Sequence, residues 1–67
     1  MKISARNVLK GKVTAVKTGA VAAQVQVDVG GHVITSMITA DALKDLKIKK
    51  GDKVSVIIKS TEVMLAK

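Results

Sequence analysis

The chain has 67 residues with no cysteine, no proline and no aromatic residue, and its 12 Lys and Arg against 5 Asp and Glu give a formal net charge of +7. Disulfides and thiolate metal sites are therefore excluded, and a domain this small buries only about 60% of the surface its unfolded chain exposes. The single histidine, His32, builds no metal site alone, so oligomerisation is the remaining support for so short a fold, and the excess of cations points to an anionic partner.

In chain order, Met1-Lys2-Ile3-Ser4-Ala5-Arg6 is basic but lacks an apolar core, so it reads as no secretion signal. No stretch of about 18 apolar residues follows, which predicts no membrane span and a cytoplasmic protein. Val8 to Val16 predicts a first strand, with Leu9, Gly11, Val13 and Ala15 on one side, and Lys17-Thr18-Gly19-Ala20 a turn. From Val21 to Val29 the alternation is regular, with Val21, Ala23, Val25, Val27 and Val29 facing one way and Ala22, Gln24, Gln26 and Asp28 the other. Gly30-Gly31 predicts a two-residue hairpin, because paired glycines supply the positive φ angles of a primed turn. His32 to Thr39 returns as a third strand with Val33, Ile34, Met37 and Ile38 on both faces, which predicts cover on both faces.

Thr39 to Lys47 is the one helical candidate: Leu43 and Leu46 are spaced i, i+3, with Asp41 early and Lys44 and Lys47 late, a charge order that suits the helix dipole. Lys49-Lys50-Gly51-Asp52 is a turn, Lys53 to Lys59 a fourth strand with Val54, Val56 and Ile58 inward, and Val63 to Ala66 a short fifth strand. The whole chain, residues 1–67, thus reads as one all-β domain. Its element order is that of a five-stranded oligonucleotide-binding-type (OB-like) Greek-key barrel with one short helix between strands 3 and 4.

Catalysis finds no footing. His32 follows a hairpin turn with no serine motif beside it, the five acids are scattered, and Gly30-Gly31 opens no helix that could cradle phosphate. The fold and the charge raise nucleic-acid binding as the alternative. Single-strand binders of this fold, however, stack bases on aromatic rings at about 1–3 kcal/mol each, and this chain has none. Two segments stand out for their donors: Ser4-Ala5-Arg6-Asn7, which holds the only arginine, and Lys59-Ser60-Thr61. On residue types alone, turn or capping roles account for them equally well.

Ser4-Ala5-Arg6-Asn7-Val8-Leu9-Lys10-Gly11-Lys12-Val13 resembles the S-A-R-N-x-L-x-G-x-V opening of the molbindin family. Lys59-Ser60-Thr61-Glu62-Val63-Met64 resembles its K-[SA]-[ST]-x-V close, and Ile34-Thr35-Ser36-Met37-Ile38-Thr39 its central strand. The resemblance covers essentially the whole chain. It implies a non-enzymatic protein that binds molybdate or tungstate, assembled as a homohexamer, a trimer of dimers, with oxyanion sites at subunit interfaces. It needs no cofactor and no metal cation held by direct ligands.

Carried over by motif, the main site would use Ser4, the Ala5 backbone and Arg6 with Lys59 and Ser60. Thr39 and the amides after it would complete the site from a neighbouring subunit. Some relatives have serine where this chain has Ala42, so only a backbone N–H remains there. A second type of site on the three-fold axis is expected near Lys17, Thr18, Gly19 and Ala20. A site made only of donors suits a fully deprotonated dianion. Hydrogen phosphate would leave its proton without an acceptor, at about 1–3 kcal/mol.

Overall fold

The computed structural model describes residues 2–67; Met1, the start of the basic N-terminal stretch, lies outside them. Four strands, β1 (Asn7–Thr18), β2 (Ala22–Asp28), β3 (Val33–Thr39) and β4 (Lys53–Ile58), make one antiparallel sheet in the order β3-β2-β1-β4. The helix α1 (Ala40–Leu46) lies between β3 and β4, and a single 3-10 turn (Ser60–Glu62) follows β4.

β1 has two partners in succession. Its first half, Asn7 to Lys12, pairs with β4, and its second half, Lys12 to Thr18, pairs with β2. The curl that this demands is made at two places. At Gly11 a Cβ would sit 2.6 Å from both the Asp28 carbonyl oxygen and Val27 Cγ1, so only a bare α-carbon lets β2 cross so close. At Thr14 the register slips, Val13 pairing with Val27 but Ala15 with Gln26, which is a β-bulge. The Thr14 hydroxyl donates to the Gln26 carbonyl oxygen across it at 3.3 Å.

The bulge corrects the reading of strand 1. Beyond Val13 the inward position passes to Val16, which packs on the core, rather than continuing to Ala15. Strand 2 keeps the predicted alternation: Ala23, Val25 and Val27 are buried and, with Val13 and Leu43, form a core without an aromatic ring. Val21, expected on the same face, falls outside the strand and is 79% exposed. The Gly30-Gly31 turn behaves as its sequence demands, with φ of 91° and 94° and the Gly31 N–H held by the Asp28 carboxylate at 2.8 Å.

α1 is a seven-residue helix capped by Thr39, whose Oγ1 accepts from the Ala42 N–H at 3.0 Å. It ends at Lys47 in the left-handed conformation, φ 54°. Ala40 and Leu43 are buried against the sheet, whereas Leu46, the other half of the expected apolar pair, is 68% exposed.

One further expectation needs correction. Val63 to Ala66 is not a fifth strand: the chain leaves the 3-10 turn unpaired, and Met64 and Leu65 are over 90% exposed. In addition, the outer face of β3 has no cover from its own chain, with Val33 56% and Met37 72% exposed. The β3 and β4 edges curl toward each other and leave between them a cleft of 560 Å³ lined by Ser36, Met37, Ile57 and Lys59 among others. Among the described residues no helix is long and apolar enough to cross a membrane.

Candidate anion-binding site

Asn7 opens β1, Ile58 closes β4, and the two face each other across the ladder. The Asn7 side chain fastens this last rung by donating Nδ2–H to the Ile58 carbonyl oxygen at 3.1 Å. Because the strands are antiparallel, the residue before Asn7 and the residue after Ile58 leave the sheet side by side. These are Arg6 and Lys59. Segments 51 residues apart in sequence are thereby joined by backbone pairing.

Around that rung Ser4, Arg6, Lys59 and Ser60 are exposed and Ala5 is half-buried. Lys59 caps the 3-10 turn through its backbone only. Its carbonyl accepts from the Glu62 N–H at 2.9 Å, and the Ser60 carbonyl from the Val63 N–H at 3.4 Å. Among the described residues the guanidinium, the ammonium and the Ser4 and Ser60 hydroxyls make no hydrogen bond or ion pair that holds the fold. Asn7 belonged to the quoted motif but not to the expected ligand set. Its part in positioning the site is visible only once β1 and β4 are paired.

The remaining expected residues lie elsewhere. Thr39 pairs with Ala22, next to the Thr18–Ala23 rung, so Thr39 and Ala42 belong to the far end of β1. A 12-residue strand at about 3.3 Å per residue is about 36 Å long when straight, comparable to the molecule's longest dimension of 35 Å. One chain thus brings Ser4, Ala5 and Arg6 to Lys59 and Ser60, but it does not bring Thr39 and Ala42 to them.

At that far end the donors are largely engaged. The Ala40 N–H donates to the Val21 carbonyl oxygen at 2.8 Å and the Ala42 N–H to Thr39 Oγ1. The Thr39 hydroxyl hydrogen stays available, because its oxygen acts there as acceptor. Lys17 and Thr18, expected in a turn, are the last residues of β1, and with Gly19 and Ala20 they are exposed and neighbour Thr39 rather than Arg6. The Gly19 N–H closes the turn on the Ala22 carbonyl oxygen at 2.8 Å. No group of three or more His, Asp or Glu side chains able to hold a metal cation exists among the described residues.

The TOBE domain model matches residues 3–65. Molybdenum-pterin-binding protein 3 of Clostridium pasteurianum is 52% identical over 66 residues, 97% of each chain. Among solved structures, a molybdate-binding protein from Sporomusa ovata is 39% identical and superposes over the full length of both chains with a TM-score of 0.96. MopII from Clostridium pasteurianum is 45% identical, with a TM-score of 0.93 over 98% of this chain and all of that one. These relatives are named for binding rather than for a reaction. A family match across nearly every residue, together with superposition on whole single-domain relatives, makes this chain a member of the TOBE-domain family and of its Mop, or molbindin, group.

Proposed function

We propose that the chain captures molybdate or tungstate reversibly, without turnover, for cytoplasmic storage, homeostasis or delivery. The observation that carries this reading is the donor-only cluster flanking the Asn7–Ile58 rung: Ser4, the Ala5 amide and Arg6 just before β1, Lys59 and Ser60 just after β4. A dianion whose oxygens only accept hydrogen bonds satisfies such a set. Hydrogen phosphate leaves one proton unmatched, and sulfate, with the same charge, is rejected by its smaller size. The relatives' names, which speak of molybdate and molybdenum, support the same ligand class.

The site is open on one side within a single chain, and we place Thr39 and the Ala42 position of a second copy against it in a homohexamer built as a trimer of dimers. Two observations support self-association: the uncovered outer face of β3, and the apolar tail beside the cleft between β3 and β4. Closing that cleft with a fifth strand would complete an OB-like barrel. A second anion position at Lys17–Ala20 would draw on the Lys17 ammonium, the Thr18 hydroxyl and the Ala20 amide, the Gly19 amide being already used.

Titration calorimetry with molybdate, tungstate, sulfate and phosphate at fixed ionic strength tests the ligand, with the first two expected to bind well above sulfate and phosphate weakest. Equal competition by phosphate would sink the donor-only argument. Sedimentation equilibrium tests assembly, with a mass near six protomers expected and a lower mass for Met64→Asp. A stable monomer that still binds molybdate would remove the shared site.

A further inference from the structure

The inner face of β1 is apolar except at its first position. Side chains alternate along a strand, so Asn7, Leu9, Gly11 and Val13 share one face ahead of the bulge at Thr14. The first three stand opposite Ile58, Val56 and Val54 of β4. Val13 is buried, and Val54 and Val56 pack on the core. The series calls for a hydrophobe at position 7, yet a half-buried amide stands there. An amide drawn out of water costs free energy unless it is bonded, and the bond from Asn7 Nδ2–H to the Ile58 carbonyl oxygen, 3.1 Å long, offsets that cost. A leucine has the same branching and would lie against Ile58 with no polar atom to satisfy. What the amide adds is direction, because apolar contacts are non-directional whereas a hydrogen bond fixes distance and angle.

The direction matters at this rung. Asn7–Ile58 is the last pair of the ladder, and Arg6 and Lys59, the next residues outward, lie outside both strands. Ends of secondary structure open more readily than their middles, so backbone pairing alone defines the separation of the two chains least well there. The Ile58 carbonyl shares a planar peptide unit with the Lys59 nitrogen and α-carbon. A side chain that holds this carbonyl therefore orients the start of Lys59, and it does so from the residue bonded directly to Arg6.

We infer that Asn7 is a positioning residue that fixes the span between Arg6 and Lys59, and with it the discrimination between molybdate and sulfate. The inference rests on the oxyanion reading above. The two anions have the same charge and the same tetrahedral set of acceptor oxygens, so size alone separates them. Reading size requires donors held to within about 0.5 Å by their surroundings. Donors free to move closer would close on the smaller ion as well, whereas a fixed span leaves sulfate short of one side.

Titration calorimetry of the intact protein with molybdate and with sulfate, at fixed ionic strength, tests this in the parent and in Asn7→Leu. Asn7→Ala serves if the leucine variant does not fold. Molybdate binding to Asn7→Leu should weaken about tenfold, the size of one neutral hydrogen bond, while sulfate binding changes less than about twofold. The ligand-free variant should melt no lower than the parent and keep the same assembly mass. A parent that binds sulfate as tightly as molybdate would remove the oxyanion reading and this inference with it. Parent selectivity retained in the variant would overturn the inference alone. Equal weakening of both anions, or weakening that comes with a lower melting temperature or a smaller assembly, would reduce Asn7 to a structural residue and overturn it too.

Discussion

The two ends of β1 use the same kinds of residue to opposite effect. Where β1 meets β4, Arg6, Lys59, Ser4 and Ser60 flank a rung closed by backbone and by Asn7, and among the described residues none of the four side chains is bonded within the fold. Where β1 meets β2 and β3, the amides of Gly19, Ala40 and Ala42 and the Thr39 oxygen are all bound within the fold. A donor spent on a turn or cap holds the chain in place, whereas an unspent one can hold a ligand. The first end is therefore equipped for capture, and what the second end leaves unspent is the Thr39 hydroxyl hydrogen beside the donors of Lys17, Thr18 and Ala20.

The largest expected effect strikes both ends at once. Gly11→Val places a branched side chain where even a Cβ meets Asp28 and Val27 at 2.6 Å, and backbone gives way poorly. A loss of about 3 kcal/mol, at the upper end for overpacking, should show in urea unfolding. A value under about 0.5 kcal/mol would mean that β2 does not cross β1 closely.

Arg6→Ala separates the two ends. It should weaken molybdate binding by about 1.5–3 kcal/mol, the range for a charge-assisted contact, with little change in unfolding. Arg6→Lys should recover only part, since charge returns without the planar fork. Thr39→Ala should do the reverse, costing about 1 kcal/mol of stability through the lost cap, while Thr39→Ser keeps the cap. If Thr39→Ala also lowers molybdate affinity and Thr39→Ser does not, the far end joins the site of another copy; unchanged affinity would leave the first end working alone. The smallest effect belongs to Lys47→Ala, whose exposed charge acts on the anion only at long range and is screened beyond about 10 Å at 0.1 M salt. A loss equal to that of Arg6→Ala would mean that net charge, not the motif, attracts the ligand.

Alternation made the faces of β2 legible from Ala22 to Asp28, and paired glycines fixed its turn, because both signals are local. The Leu43/Leu46 spacing, the acidic first turn and the basic end located α1 to within a residue at each end. The Thr14 bulge left no mark in the sequence. A threonine in a strand of β-branched residues looks the same in register or out of it, so the shift from Ala15 to Val16 shows only against Gln26. Val63 to Ala66 has strand composition, but a strand also needs a partner edge, and composition names none. The candidate site was legible as two motifs through family resemblance. That they meet at one rung, while Thr39 and Ala42 do not, follows from the order β3-β2-β1-β4 and from nothing local.

The unpaired β3 and β4 edges also bear on how the protein responds to salt. Open edges are templates for a further strand, and proteins often blunt them with proline, which this chain lacks. Its remaining guard against indiscriminate edge pairing is mutual repulsion between copies that each carry a formal charge of +7. Added electrolyte weakens that repulsion and, by the same screening, the pull on a small anion. Ionic strength therefore drives the two in opposite directions, favouring contact between copies while loosening the grip on the ligand.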